Sequence, residues 1–115
     1  MDDDNAVPAL AALAHIDRLS AFRLLVKTGP NGLASGEIAD RLAIPATRMS
    51  FHLTALERSG LVRSRRVGRH IYYAANYGAM RELLAFLTED CCGGRPEICG
   101  DLSALLGACS KVVCQ

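Results

Sequence analysis

At 115 residues, half of them apolar and none Trp, the chain is long enough for one domain with a real core, yet small enough that pairing with a second copy would help bury its surface. Its net charge of +1 is unevenly laid out: seven of the thirteen basic residues lie between Arg41 and Arg69, opposed there only by Glu57, so that window carries +6 and the remainder −5. No apolar run approaches the roughly 18 residues of a membrane span, and an opening with Asp2, Asp3 and Asp4 is unlike a secretory signal, so a cytoplasmic protein is expected.

The acidic start is expected to fray as far as Asn5. From Ala6 the pattern is helical, with Leu10, Leu13 and Ala14 on one face and Pro8 in the first turn. A helix so free of charge suits a core or a subunit interface. A break at His15 to Asp17, with Asp17 as N-cap, leads into a second helix carrying Leu19, Phe22 and Val26 on one side and Leu25 beside them. Thr28-Gly29-Pro30-Asn31-Gly32 ends that helix. Ser35 is read as the N-cap of a third helix with the apolar stripe Ile38 and Leu42, and Ala43-Ile44-Pro45 forms a turn.

The fourth helix is predicted from Ala46 to Ser59, with Gly60 as its stop. Met49, Leu53 and Leu56 follow i, i+4, i+7 spacing and face a core. His52 borders that stripe, where a half-buried histidine bonded to backbone is the plainer reading and a ligand the sharper one. Thr47, Arg48, Ser50 and Phe51 lie opposite, at the exposed N-terminal end. Leu61 to Arg66 alternates apolar and basic residues like a half-buried strand, Val67-Gly68-Arg69-His70 makes a hairpin turn, and Ile71 to Ala75 returns. A last helix runs from Tyr77 to about Asp90, with Met80, Leu83, Leu84 and Leu87 on one face and Phe86 alongside.

Two short helices around a turn, followed by a basic hairpin, give a mainly α fold with a small β-hairpin wing, a winged helix-turn-helix. A positive patch at that point suits a polyanion, the plainer reading being a solvated Arg-rich surface. On duplex DNA, Arg48 could pair with guanine, Thr47 and Ser50 could bond to bases or phosphate, and Phe51 could pack on a thymine methyl. Arg63, Arg65, Arg66, Arg69 and His70 of the wing would contact phosphates, which position a protein without reading sequence. No catalytic motif or glycine-rich phosphate loop is visible, so an enzyme is not expected.

The run Ser50-x-His52-Leu53-x-x-Leu56-x-x-x-Gly60-Leu61-Val62, followed by Arg63-Ser64-Arg65-Arg66-Val67-Gly68-Arg69, resembles the ArsR/SmtB family of metalloregulatory repressors over roughly Leu13 to Leu87. The resemblance implies a homodimer paired by its first and last helices, bound to a palindromic operator when free of inducer. It also divides the chain into a DNA-binding and dimerisation domain at 1–90 and an inducer-binding tail at 91–115. One arsenic-sensing layout of the family needs cysteines in the third helix, and Ser35 to Ala43 has none. The zinc and nickel layout needs histidines on the last helix, whereas the three in this chain are His15, His52 and His70.

What remains is Cys91-Cys92-Gly93-Gly94-Arg95-Pro96-Glu97-Ile98-Cys99, three thiols around a turn that could fold back. An all-thiolate set of three suits a soft centre such as As(III) or Sb(III), whereas structural zinc would need Cys109 or Cys114 as a fourth ligand. The arrangement is similar to a C-terminal-cysteine subgroup of arsenical-responsive repressors, with no constitutive cofactor and As(III) or Sb(III) as inducer. The alternatives are incidental tail cysteines, a thiol redox switch, a response to Cd(II) or Pb(II), or a cytoplasmic thiol protein that sequesters metalloid.

Overall fold

The structure, a computed structural model, describes residues 1–88. Helix α1 (Asp3–Leu13) begins earlier than the acidic opening suggests, because Asp2 caps it: its side chain accepts from the Asn5 N–H at 3.0 Å. Asp3 and Asp4 then sit in the first turn, where the helix dipole favours negative charge. Pro8 therefore lies inside the helix and not in its first turn. The helix turns Ala6, Ala9 and Ala12 inward, and these small side chains let it pack closely on its neighbours. Val7 and Leu10 stay exposed on its outer side.

Helix α2 (Ile16–Thr28) is capped by His15, whose Nδ1 accepts from the Asp17 N–H at 3.1 Å; Asp17 is inside the helix and is not its N-cap. Its inner face is Ala21, Phe22 and Leu25, while Leu19 remains exposed. Strand β1 (Leu33–Ala34) follows the glycine turn. Gly32, at φ +73°, lies so close to the Tyr73 backbone that a Cβ would overlap its carbonyl. Helix α3 (Ser35–Leu42) starts at Ser35 itself, with Ala34 in the cap position and no side-chain cap bond. It ends at Ala43, which adopts left-handed φ +55° and, among the described residues, is the one non-glycine with positive φ. That conformation costs an L-residue about 1–2 kcal/mol. The Ile44 N–H closes the turn on the Ala39 carbonyl at 3.0 Å.

Helix α4 (Ala46–Arg58) stops where Ser59 caps it and Gly60 reverses the chain at φ +87°. Strands β2 (Val62–Val67) and β3 (His70–Ala75) form the hairpin, paired in register from Val62 with Ala75 to Val67 with His70. With positive φ at Gly68 and not at Arg69, the two-residue turn has the type II′ pattern, whose twist matches the strands. β1 adds to the other edge of β3, giving an antiparallel sheet in the order β1-β3-β2. Helix α5 (Tyr77–Thr88) is opened by Asn76, whose Oδ1 accepts from the Ala79 N–H at 3.2 Å. The Tyr77 hydroxyl donates to the Val26 carbonyl at 2.9 Å and fastens α5 to the end of α2.

Among the described residues, Leu25, Ile38, Met49, Leu53, Leu56, Leu61 and Val62 are the largest fully buried side chains. They come from α2, α3, α4 and the start of the hairpin, so the core is the junction on which α4 is mounted. Truncating one of its leucines to alanine would cost about 2–5 kcal/mol. Leu83 joins this core from α5, whereas Leu84 and Leu87 face outward. No helix among the described residues is long and apolar enough to cross a membrane.

Candidate nucleic-acid interface

Three faces of α4 have three different tasks. Met49, Leu53 and Leu56 are wholly buried and fix the helix against α2 and α3. Thr47, Arg48, Ser50 and Phe51 are exposed at its N-terminal half, as their positions opposite that stripe imply. Phe51 is 73% exposed, so its ring is free to meet a partner. A groove of about 420 Å³ runs along this outer face, lined by Arg18, Thr47, Ser50, Phe51, Thr54, Ala55 and Arg58. Thr47, Phe51, Thr54 and Arg58 recur at spacings of four, three and four, a helical stripe that was legible in sequence. Arg18 comes from α2 and was not.

The third face belongs to His52, 6% exposed. Its contacts are to side chains and not to backbone. Arg18 Nε donates to His52 Nδ1 at 3.2 Å, and the His15 ring lies 4.5 Å away, centroid to centroid. Asp17 Oδ2 stands 3.5 Å from His52 Nε2 and 3.7 Å from Arg48 Nε. Burial holds the His52 pKa below the ordinary histidine value; His15, Arg18 and Arg48 push the same way, and Asp17 opposes them. Arg48, with 59% of its side chain exposed, is thus loosely held by an acid from α2 and can exchange it for a base or a phosphate.

The wing carries its cations on two faces. Paired residues of an antiparallel ladder share a face, so Arg63 and Arg65 lie with Ala74 and Tyr72, and Arg66 lies with Ile71. Arg65 is engaged within the molecule: its guanidinium sits 5.1 Å from the centre of the Tyr72 ring, and Nη2 donates to the Asn31 carbonyl at 3.1 Å. Among the described residues Arg66 reaches only the Gly68 carbonyl at 3.4 Å, and Arg69 and His70 are exposed at the tip. On the inner side Ser64 bonds to Glu57, joining the wing to the end of α4. The surface is a recognition-type helix beside a cationic hairpin, a form suited to a duplex with a groove and a charged backbone. Cys91, Cys92 and Cys99 lie outside the described residues.

A family model described as a helix-turn-helix domain matches residues 13–65. The chain is 30% identical over 82 residues to the transcriptional activator HlyU of Vibrio cholerae serotype O1, covering 71% of this chain and 73% of that one. Among solved structures it resembles an ArsR-like transcriptional regulator from Rhodococcus sp. RHA1, with TM-score 0.65 and 25% identity over 96% of this chain and 93% of that one. It also resembles the homodimeric winged helix-turn-helix DNA-binding domain of Mb0332 from Mycobacterium bovis, with TM-score 0.62 and 27% identity over 78% and 89% of the two chains. A buried HTH core, an exposed α4 face and a cationic wing in the frame these relatives share identify a DNA-binding regulator of transcription and not an enzyme: the chain belongs to the ArsR/SmtB-type winged helix-turn-helix regulators.

Proposed function

We propose that this regulator is a homodimeric repressor that holds a palindromic operator when free of inducer and leaves it on binding As(III) or Sb(III). The observation that carries the inducer is the cysteine set Cys91, Cys92 and Cys99, directly after the last helix. Three thiolates match the coordination of a trivalent metalloid, with the lone pair on the fourth side, and soft ligands select soft centres. Repression is likewise part of the proposal, since HlyU is named an activator.

Dimerisation is supported by the apolar residues left outside: Val7 and Leu10 on α1, and Leu84 and Leu87 on α5. A twofold dimer offers two reading helices to a palindrome. Thr47, Arg48, Ser50 and Phe51 would read bases, while Arg66, Arg69 and His70 would hold phosphates with support from Arg63 and Arg65. An ion that draws Cys99 toward Cys91 and Cys92 would restrain the end of α5 and alter the spacing of the two readers. Coupling of about 1–3 kcal/mol would weaken operator binding roughly 5–150-fold.

Operator release in vitro, titrated in parallel with As(III), Sb(III), Cd(II), Zn(II) and peroxide, tests this reading. Release by the trivalent metalloids at lower concentration than by the divalent ions or peroxide supports it. Release by peroxide alone would make the thiols a redox switch.

A further inference from the structure

Away from the groove on α4, the fold gathers His15 from the α1–α2 junction, Asp17 from the first turn of α2 and His52 from the inner side of α4. One ligand atom from each residue lies within 4.8 Å of the other two. We propose that these three side chains form a binding site for a divalent transition-metal ion of the zinc class, separate from the thiols of the tail.

Two imidazoles and a carboxylate are a donor set for such ions, with water completing a four-coordinate shell. The spacing fits as well. Two donors on a tetrahedral ion with bonds of about 2.0–2.1 Å stand roughly 3.4 Å apart, and His52 Nε2 and Asp17 Oδ2 are 3.5 Å apart. The two rings are 4.5 Å apart, centroid to centroid, and inclined at 46°. His52 supplies the independent sign of a ligand: its residue is only 6% exposed, and its buried Nε2 makes no hydrogen bond among the described residues, with the Asp17 carboxylate as far as 3.5 Å away. A buried polar atom without a partner calls for a water or an ion beside it.

Coordination has a defined proton consequence. Arg18 Nε donates to His52 Nδ1, so the neutral ring carries its proton on Nε2. An ion bound at Nε2 requires the other tautomer, with the proton moved to Nδ1 and the Arg18 contact opened. The ring stays neutral and no proton is lost overall. His15, already exposed, gives up only the cap contact to the Asp17 N–H. Asp17 also faces Arg48, so an ion on its carboxylate would release that arginine and add positive charge at the front of α4. The site is therefore built into the reading head itself, whereas the thiols follow α5.

The test uses the full-length chain with all five cysteines changed to serine, so that thiols do not compete. Zn(II) is titrated calorimetrically, and the ring nitrogens of the three histidines are followed by NMR. The expected result is one saturable Zn(II) per chain, shifts at His15 and His52 but not His70, and binding weakened tenfold or more by His15→Ala and by Asp17→Asn. His15 and Asp17 are at or near the surface, so these variants should fold even if His52→Gln does not. Absence of saturable binding, or affinity unchanged in either His15→Ala or Asp17→Asn, would overturn the proposal.

Discussion

Asp17 Oδ2 lies 3.7 Å from Arg48 Nε, so an acid at the start of α2 restrains the arginine at the front of α4. The pair is solvent-exposed enough to exchange easily, and at the proposed interface DNA would compete with Asp17 for the guanidinium. Arg48→Ala should therefore relax preference at one base position, at a cost of roughly 1–3 kcal/mol there. Asp17→Asn, in chelator-treated buffer, should tighten operator binding a few-fold, a gain that shrinks as salt rises. Fluorescence anisotropy on operator variants checks both; a uniform loss with Arg48→Ala would make it a phosphate contact.

Among the described residues Arg66 and Arg69 have no strong partner, while Arg65 is held by Tyr72 and Asn31. Each phosphate neutralised contributes about −0.9 to the slope of log K against log salt. Arg66→Ala or Arg69→Ala should flatten that slope by about 1 and weaken all sequences alike, and Arg65→Ala should do less. A slope equal to wild type in the Arg66 and Arg69 variants would remove them from the interface.

Much of this architecture was legible. Met49, Leu53 and Leu56 lie on one helical face in sequence and are buried together, and the hairpin turn at Gly68 and Arg69 is where its residues indicate. The misses were local or long-range in origin. Two residues, Leu33 and Ala34, are too few to show a strand period, and they pair only because the sheet edge of Tyr72 and Tyr73 is there. His15, not Asp17, caps α2 because its Nδ1 reaches the Asp17 N–H. His52 finds Arg18 across 34 positions of chain, a contact no periodicity encodes. The outward face of α4 could be read from spacing, but the acid and arginine that α2 adds beside it could not.

The outward apolar residues of α1 and α5 give a prediction on assembly. Leu84 is exposed, and Leu83 beside it is buried in the core. Leu84→Glu should yield monomers that retain their helical spectrum and lose operator binding, whereas Leu83→Glu should unfold the chain. Sedimentation at micromolar concentration distinguishes these outcomes, and a monomeric wild type would contradict the proposed dimer.

Stability should also depend on His52. Its folded pKa is lowered, chiefly by burial and then by His15 and Arg18. The unfolded chain therefore takes up a proton first, at about pH 6.5, and stability falls as pH drops below that value toward the folded pKa. Above about pH 6.5 the contribution is fully present. Denaturant titrations in chelator between pH 7.5 and 5 should show this loss, reduced in His52→Gln; equal pH dependence in both proteins would assign it elsewhere.

The proposed inducer site is tested most directly by As(III)-driven operator release from the wild type, Cys99→Ser and Cys114→Ser, read by anisotropy at fixed protein and salt. All three proteins should bind the operator equally without As(III). Wild type and Cys114→Ser should then release it over the same As(III) range, and Cys99→Ser should remain bound. Normal release by Cys99→Ser would contradict the three-thiolate site.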